Sequence, residues 1–166
     1  MKKLLILIVL FLSLDNPAQE REFKDFVHLS GEVFDFANNE ELEFFEVRVI
    51  IDTDIILSER YYDRKNYNLK LPYGFEYTVI FFSKNYVSRK VFIDLMDIPF
   101  ANKKVYPLQL DLGLMAKRKG LRTRDISKSF SGIARYSPTR DRVEWFPNQK
   151  ERVDKIISGL LSARKP

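Results

Sequence analysis

His28 is the chain's single histidine, and there is no cysteine among its 166 residues. Those two counts remove most side-chain chemistry. Without Cys there is no disulfide, no thiolate metal site and no cysteine nucleophile. One His cannot assemble a His-rich metal centre. A Ser-His-Asp triad would need His28 as its base, and no G-x-S-x-G elbow presents a serine to it. His28 lies between Val27 and Leu29, so it reads as a strand residue on a solvent face.

Carboxylates come next. Glu40, Glu41, Glu43 and Glu46 cluster ahead of a strand. Two such groups hydrolyse glycosides when set roughly 5–10 Å apart. Nothing in the spacing fixes that distance, and a solvated acidic loop is the plainer reading. Asp52-Thr53-Asp54 followed by Asp63 partly matches a calcium loop, but Ile56 holds the middle ligand position and Leu57 replaces the required Gly. A turn is expected there. No cofactor is implied anywhere in the chain.

The sharpest charge feature is the strip Lys117, Arg118, Lys119, Arg122, Arg124 and Lys128. It suits an anionic surface, a cell-wall polymer or an acidic partner protein. Its plainer reading is a solvated basic loop. Nucleic acid is disfavoured: no RNP-like aromatic pattern interrupts the strip, and Gly120 has no P-loop partners. The strip belongs to a wider asymmetry. Residues 19–100 carry 10 Lys and Arg against 16 Asp and Glu, whereas residues 101–166 carry 16 against 6. The two halves can attract each other or meet different partners. Aromatic residues make up 14% of the chain. In Phe44/Phe45, Tyr61/Tyr62 and Phe81/Phe82, one member of each pair must face away from a sandwich interior. The C-terminal tail is the expected cover for these, and an exposed patch is the alternative. With Tyr73, the basic strip marks the candidate binding surface.

Strands must position these groups. Val27 to Val33, Val47 to Ile51, Tyr67 to Leu71, Phe75 to Phe81 and Val91 to Leu95 alternate with period two. Turn residues separate them at Ala37-Asn38-Asn39, Asp63 to Asn66, Pro72-Tyr73-Gly74 and Lys84-Asn85. Val105 to Leu114 alternates again and predicts one further strand. Ala116 to Ser131 lacks an apolar rhythm and reads as a loop. Ile133–Tyr136 and Arg142–Phe146 predict a hairpin around Ser137-Pro138. The end predicts a helix over 148–163: Asn148 as N-cap, Glu151 as its capping-box partner, and an apolar stripe of Val153, Ile156, Ile157, Leu160 and Leu161.

Lys2 and Lys3 precede an unbroken apolar run from Leu4 to Leu12. That is the layout of a secretory signal peptide, residues 1–18, too short to span a bilayer and cut after Ala18. No transmembrane segment is expected after its removal. The absence of Cys excludes a lipid-anchored lipoprotein, and no N-x-[ST] sequon suggests eukaryotic secretion. A bacterial periplasm or cell surface follows.

Between Leu29 and Ile93 the motifs fall in a serial order. Ser30-Gly31-Glu32-Val33-Phe34-Asp35 opens it; Leu42 and Val47-Arg48-Val49 follow; then Leu71-Pro72-Tyr73-Gly74, the aromatic run Tyr77 to Phe82, Asn85-Tyr86-Val87-Ser88 and Lys90 to Ile93. This order resembles the carboxypeptidase regulatory-like, transthyretin-like β-sandwich. Asn85 replaces the family's Gly, and Asn is the best substitute where φ is positive. The resemblance implies a mainly β Greek-key sandwich of about seven strands over residues 19–100, with 101–166 as an extension ending in a helix. It also implies a non-catalytic module contacting envelope proteins, with no active site carried over. Two alternatives stand beside it: carbohydrate or peptidoglycan binding through exposed aromatics, and a small acid–base hydrolase. Expression in a Gram-negative host with the leader intact is expected to yield a protein starting at Gln19. Intact mass checks this, and an uncut mass would refute the leader reading.

Overall fold

Period-two side chains build two facing sheets. The computed structural model describes residues 25–100, 104–120 and 123–162; the leader lies outside them. The chain runs β1 (Phe26–Asp35), β2 (Phe44–Ile51), β3 (Asp54–Tyr62), β4 (Asn66–Pro72), β5 (Glu76–Phe82), β6 (Tyr86–Val87), β7 (Arg89–Asp94), β8 (Val105–Gln109), β9 (Leu112–Ala116), α1 (Arg124–Lys128), β10 (Phe130–Ser137), β11 (Arg142–Trp145) and α2 (Gln149–Ser162). The protein is mainly β, a sandwich-like body with a C-terminal helix. Among the described residues there are eleven strands where about seven were expected. Seven precede Phe100, and the extension supplies four more to both sheets.

In the first sheet β1 pairs antiparallel with β4, and its other side takes β8 and then β9 in parallel. The second sheet has the order β11-β10-β7-β5-β2-β3. Val27, Leu29, Val47, Val49, Leu69, Leu71, Tyr77, Val79, Phe81, Val91 and Ile93 fill the space between the sheets. The expected single strand over 105–114 is broken in two. Leu110 dips onto Gly31, where a Cβ would lie 2.1 Å from the Leu110 carbonyl oxygen. Only glycine permits this approach. The Tyr67 hydroxyl then donates to that carbonyl at 2.8 Å.

Other expectations need correcting. β3 carries no alternation because it is an edge strand with a bulge opposite Val49/Ile50, leaving Ile55 and Ile56 exposed. The turn expected at Asp52-Thr53 is present; it and Asp63 sit at opposite ends of the nine residues of β3, roughly 26 Å apart at strand rise, so they cannot share an ion. The segment read as a basic loop contains α1, pinned by fully buried Ile126. Asn148 has φ +69°, not the extended backbone of an N-cap; its carbonyl accepts the Arg152 N–H at 3.1 Å.

Among the described residues, the tail does not cover the outward aromatics. Phe44 and Tyr62 face each other across β2 and β3 with centroids 5.2 Å apart, and the Arg48 guanidinium lies 5.2 Å from the Phe82 ring. Instead α2 packs against β10 and α1. Its stripe joins a second cluster: Val153 and Ile157 are buried with Val87, Met115 and Ile126, flanked by Phe36, Ile156, Leu160 and Leu161.

One charged side chain fixes that docking. Arg89 opens β7 on the same inward parity as Val91 and Ile93 and is 1% exposed. Its Nε donates to Ser131 Oγ at 2.9 Å and its Nη1 to the Gly113 carbonyl at 3.0 Å. Asp154 of α2 lies 2.8 Å from the same Nη1. Burial pulls the Arg89 pKa down and Asp154 opposes that shift. Arg89→Ala removes the buried donor from Ser131, the Gly113 carbonyl and Asp154, although Asp154 keeps Lys150 at 3.2 Å, and is expected to cost about 1–3 kcal/mol in urea unfolding, with Arg89→Met/Asp154→Leu recovering most of it. A loss under about 1 kcal/mol would show that the clamp does not hold the helix.

Candidate functional site

The predicted hairpin is present as β10–β11. Its alternation buries Ala134, Tyr136 and Val143 and turns Arg135 and Glu144 outward. Where the hairpin leaves the sheet, Trp145, Phe146 and Pro147 form a corner leading into α2. The Trp145 indole N–H donates to the Gln109 carbonyl at 2.8 Å, tying β11 to β8. Gly132 makes room for the ring: a Cβ there would lie 2.8 Å from Trp145 Cζ3. Phe146 donates its N–H to the Ile133 carbonyl at 2.8 Å, yet its ring is 40% exposed. The Arg135 guanidinium stacks 4.9 Å from the ring centroid.

Two clefts meet at this corner. One, of about 670 Å³, is lined by Arg135, Arg140, Arg142, Glu144 and the corner itself. The other, of about 400 Å³, runs along the seam between the sheets past Gln109, Asp111, Lys150 and Glu151. A third, of about 520 Å³, lies behind the hairpin between β10 and the two helices. Arg140 and Arg142 both reach Glu144, at 2.9 and 2.8 Å, and these guanidinium bonds lower the Glu144 pKa.

The tip of the hairpin is held by Asp141, whose φ of +46° is a turn conformation Asp tolerates. Lys104 Nζ and the hydroxyls of Tyr106 (2.7 Å) and Tyr136 (3.0 Å) all donate to its carboxylate. Led by Lys104, these donors pull the Asp141 pKa down to about 2, while burial and the bond to Asp141 push Tyr136 up to about 12.

The sequence-predicted residues are scattered. Lys117, Arg118 and Lys119 stand exposed after β9, Arg124 and Lys128 lie exposed on α1, and Arg122 lies outside the described residues. Of these, Lys128 lines a cleft, the one behind the hairpin. Tyr73 is 2% exposed, packed against Tyr106 and Phe100, with its hydroxyl donating to the Lys104 carbonyl. It is a core residue, not an aromatic platform. His28 is half-buried on β1, 2.7 Å from Asn68 Oδ1. Glu46 is not a loop acid: it is buried on β2, where Arg48 above all, with Ser58 and Arg60, holds its pKa low. Arg135, Trp145 and Phe146 were legible as hairpin residues but carried no binding signal beyond arginine and aromatics crowded into one turn.

Among the described residues no three Asp, Glu or His side chains converge to hold a metal ion, and no helix is long and apolar enough to cross a membrane. No family model and no curated protein matches the chain. Among solved structures it is similar to a Bacteroides fragilis protein of unknown function described as membrane-associated, with 13% identity, TM-score 0.38, and coverage of 58% of this chain and 30% of that one. It is also similar to the crystal structure described as S.CueP, with 17% identity, TM-score 0.38, and coverage of 54% of this chain and 62% of that one. The chain thus spans less than two thirds of either structure.

Because the folded pKa of Asp141 lies below its ordinary 3.8, the carboxylate stabilises the hairpin above about pH 4 and this support is lost as pH falls toward 2. Asp141→Asn is expected to flatten the acid limb of stability between those values, read from urea midpoints. An acid limb identical to that of the parent would mean the Tyr–Lys–Asp cluster does not fasten the turn.

Proposed function

We propose that the chain is a non-catalytic contact module of the bacterial cell envelope, built on a transthyretin-like, carboxypeptidase regulatory-like sandwich and acting through protein–protein contacts. The observation that carries this reading is the Trp145–Phe146–Pro147 corner, with Arg135 stacked on Phe146 and a cleft on either side. Trp and Arg dominate the energetics of protein contacts because each presents a large, stiff surface with a polar handle. The serial motifs from Ser30 to Ile93 support the family assignment, and the leader-like residues 1–18 support export.

Electrostatics supports a contact role over acid–base chemistry. A general acid working near neutrality needs a raised carboxyl pKa. Among the described residues, the carboxylates whose pKa moves, Glu46, Asp141 and Glu144, all move down. Each is bonded to a nearby cation: Glu46 to Arg48 of its own strand, Glu144 to Arg142 of its hairpin, and Asp141 to Lys104 just before β8.

The test uses the mature chain, residues 19–166, as bait against envelope extract, alongside Arg135→Ser/Phe146→Ser. Both changes are on exposed side chains, so the melting temperature should move by only a few degrees. A protein retained by the parent and reduced at least tenfold with the double variant is the expected result. Equal retention by both baits would remove the corner from the reading. Turnover on a hydrolase panel, abolished by changing one carboxylate, would replace it with an enzyme.

A further inference from the structure

The cleft behind the hairpin differs in kind from the two at the corner. Its floor is apolar: Phe130 and Ile133 from β10, Val153 and Ile156 from α2. The floor continues onto the outer face of the second sheet. Phe92 lies directly across from Ile133, and its ring is 5.8 Å from that of Phe130. The rim is cationic. Lys128 closes one end, Arg152 rises from α2, and Lys90 Nζ sits 4.6 Å from the Phe130 ring centroid. Asp125 is the carboxylate lining the cleft. Arg140, Arg142 and Lys150 are paired with Glu144 and Asp154. Lys128 and Arg152, by contrast, have no carboxylate partner among the described residues.

We propose that this groove, bounded by α1, α2 and β10, is a docking site for an acidic amphipathic helix of a partner protein. The proposal rests on the contact reading above and names the chemistry of the partner. Charge complementarity selects the occupant: unpaired cations flank an apolar floor, and the ligand that satisfies both carries carboxylates beside apolar anchors. Shape selects a helix. α2 supplies one long wall, so a second helix laid beside it can place side chains at i, i+3 or i+4 and i+7 on Phe130, Ile133 and Ile156. A hydrocarbon chain fits less well, because Gln149, Ser129 and Asp125 line an open cleft with hydrogen-bonding groups.

Two fluorescein-labelled synthetic helices test this with the mature chain, one patterned from Leu and Glu and one from Leu and Lys. Anisotropy is expected to show the Leu/Glu peptide saturating at roughly 10–100 μM and the Leu/Lys peptide binding at least tenfold more weakly. Lys128→Glu/Arg152→Glu, two exposed positions, should weaken the Leu/Glu peptide at least tenfold and turn the preference toward Leu/Lys. Amide shifts on titration should map to residues 129–133 and 149–156. Equal binding of both peptides, indifference to the charge reversal, no binding at 1 mM, or a preference for lysophosphatidylglycerol micelles over the Leu/Glu peptide would each overturn the assignment. If the peptides fail while Arg135→Ser/Phe146→Ser still releases the envelope partner, the groove falls and the corner stands.

Discussion

A guanidinium buried at the seam between the sheets organises the end of this protein where the C-terminal helix docks. Ser131, the Gly113 carbonyl and Asp154 replace the hydration of Arg89 at Nε and Nη1, while its buried Nη2 has no hydrogen-bond partner among the described residues. Those partners belong to β10, β9 and α2. One side chain therefore couples the start of β7 to three elements from residues 101–166. The apolar contacts of Val153 and Ile157 hold α2 down. They are non-directional and would tolerate a sliding helix, whereas the Arg89–Asp154 pair permits little sliding. The groove wall, and the turn carrying Trp145 and Phe146 into α2, inherit their positions from that register.

Much of the fold was readable because period two survives wherever one face is buried and the other wet. β1, β2, β4, β5 and β7 all show it, and the β10–β11 hairpin and the α2 stripe were equally plain. The failures have local causes. β3 is an edge strand with a bulge, so neither face is uniformly dry. The break between β8 and β9 depends on a Leu110 carbonyl entering the space above Gly31, a contact made across 79 residues of chain. α1 is a helix of five residues fastened by the single buried Ile126, too short for any periodicity to register. Asn148 has the composition of an N-cap and the backbone of a turn, and composition cannot separate the two.

The site was less legible than the fold. Charge density drew attention to residues 117–128, but density is not geometry, and of that strip Lys128 is the residue found in a cleft. Tyr73 was one of many aromatics expected to be exposed, and it lies in a turn where a side chain can point either way; its ring packs inward on Tyr106. Arg89 did leave a trace. Its parity with Val91 and Ile93 places a cation on the core face, and a strand does that only when a partner waits inside.

The charge asymmetry supports placing the proposed partner contact on residues 101–166. If the basic half served only to dock on the acidic half, its cations would reach carboxylates of residues 19–100. Lys104, Arg140, Arg142 and Lys150 instead reach Asp141, Glu144 and Asp154, all within the extension. Arg89 with Asp154, a pair that crosses between the halves, has the opposite sign and adds nothing to such docking. Lys128 and Arg152 stay beside an apolar floor with no carboxylate partner among the described residues. Exposed lysine or arginine beside open water needs no partner. Beside half-buried Phe130 and Ile133 it forms a surface whose cations and apolar groups are satisfied together only by an acidic molecule with apolar anchors.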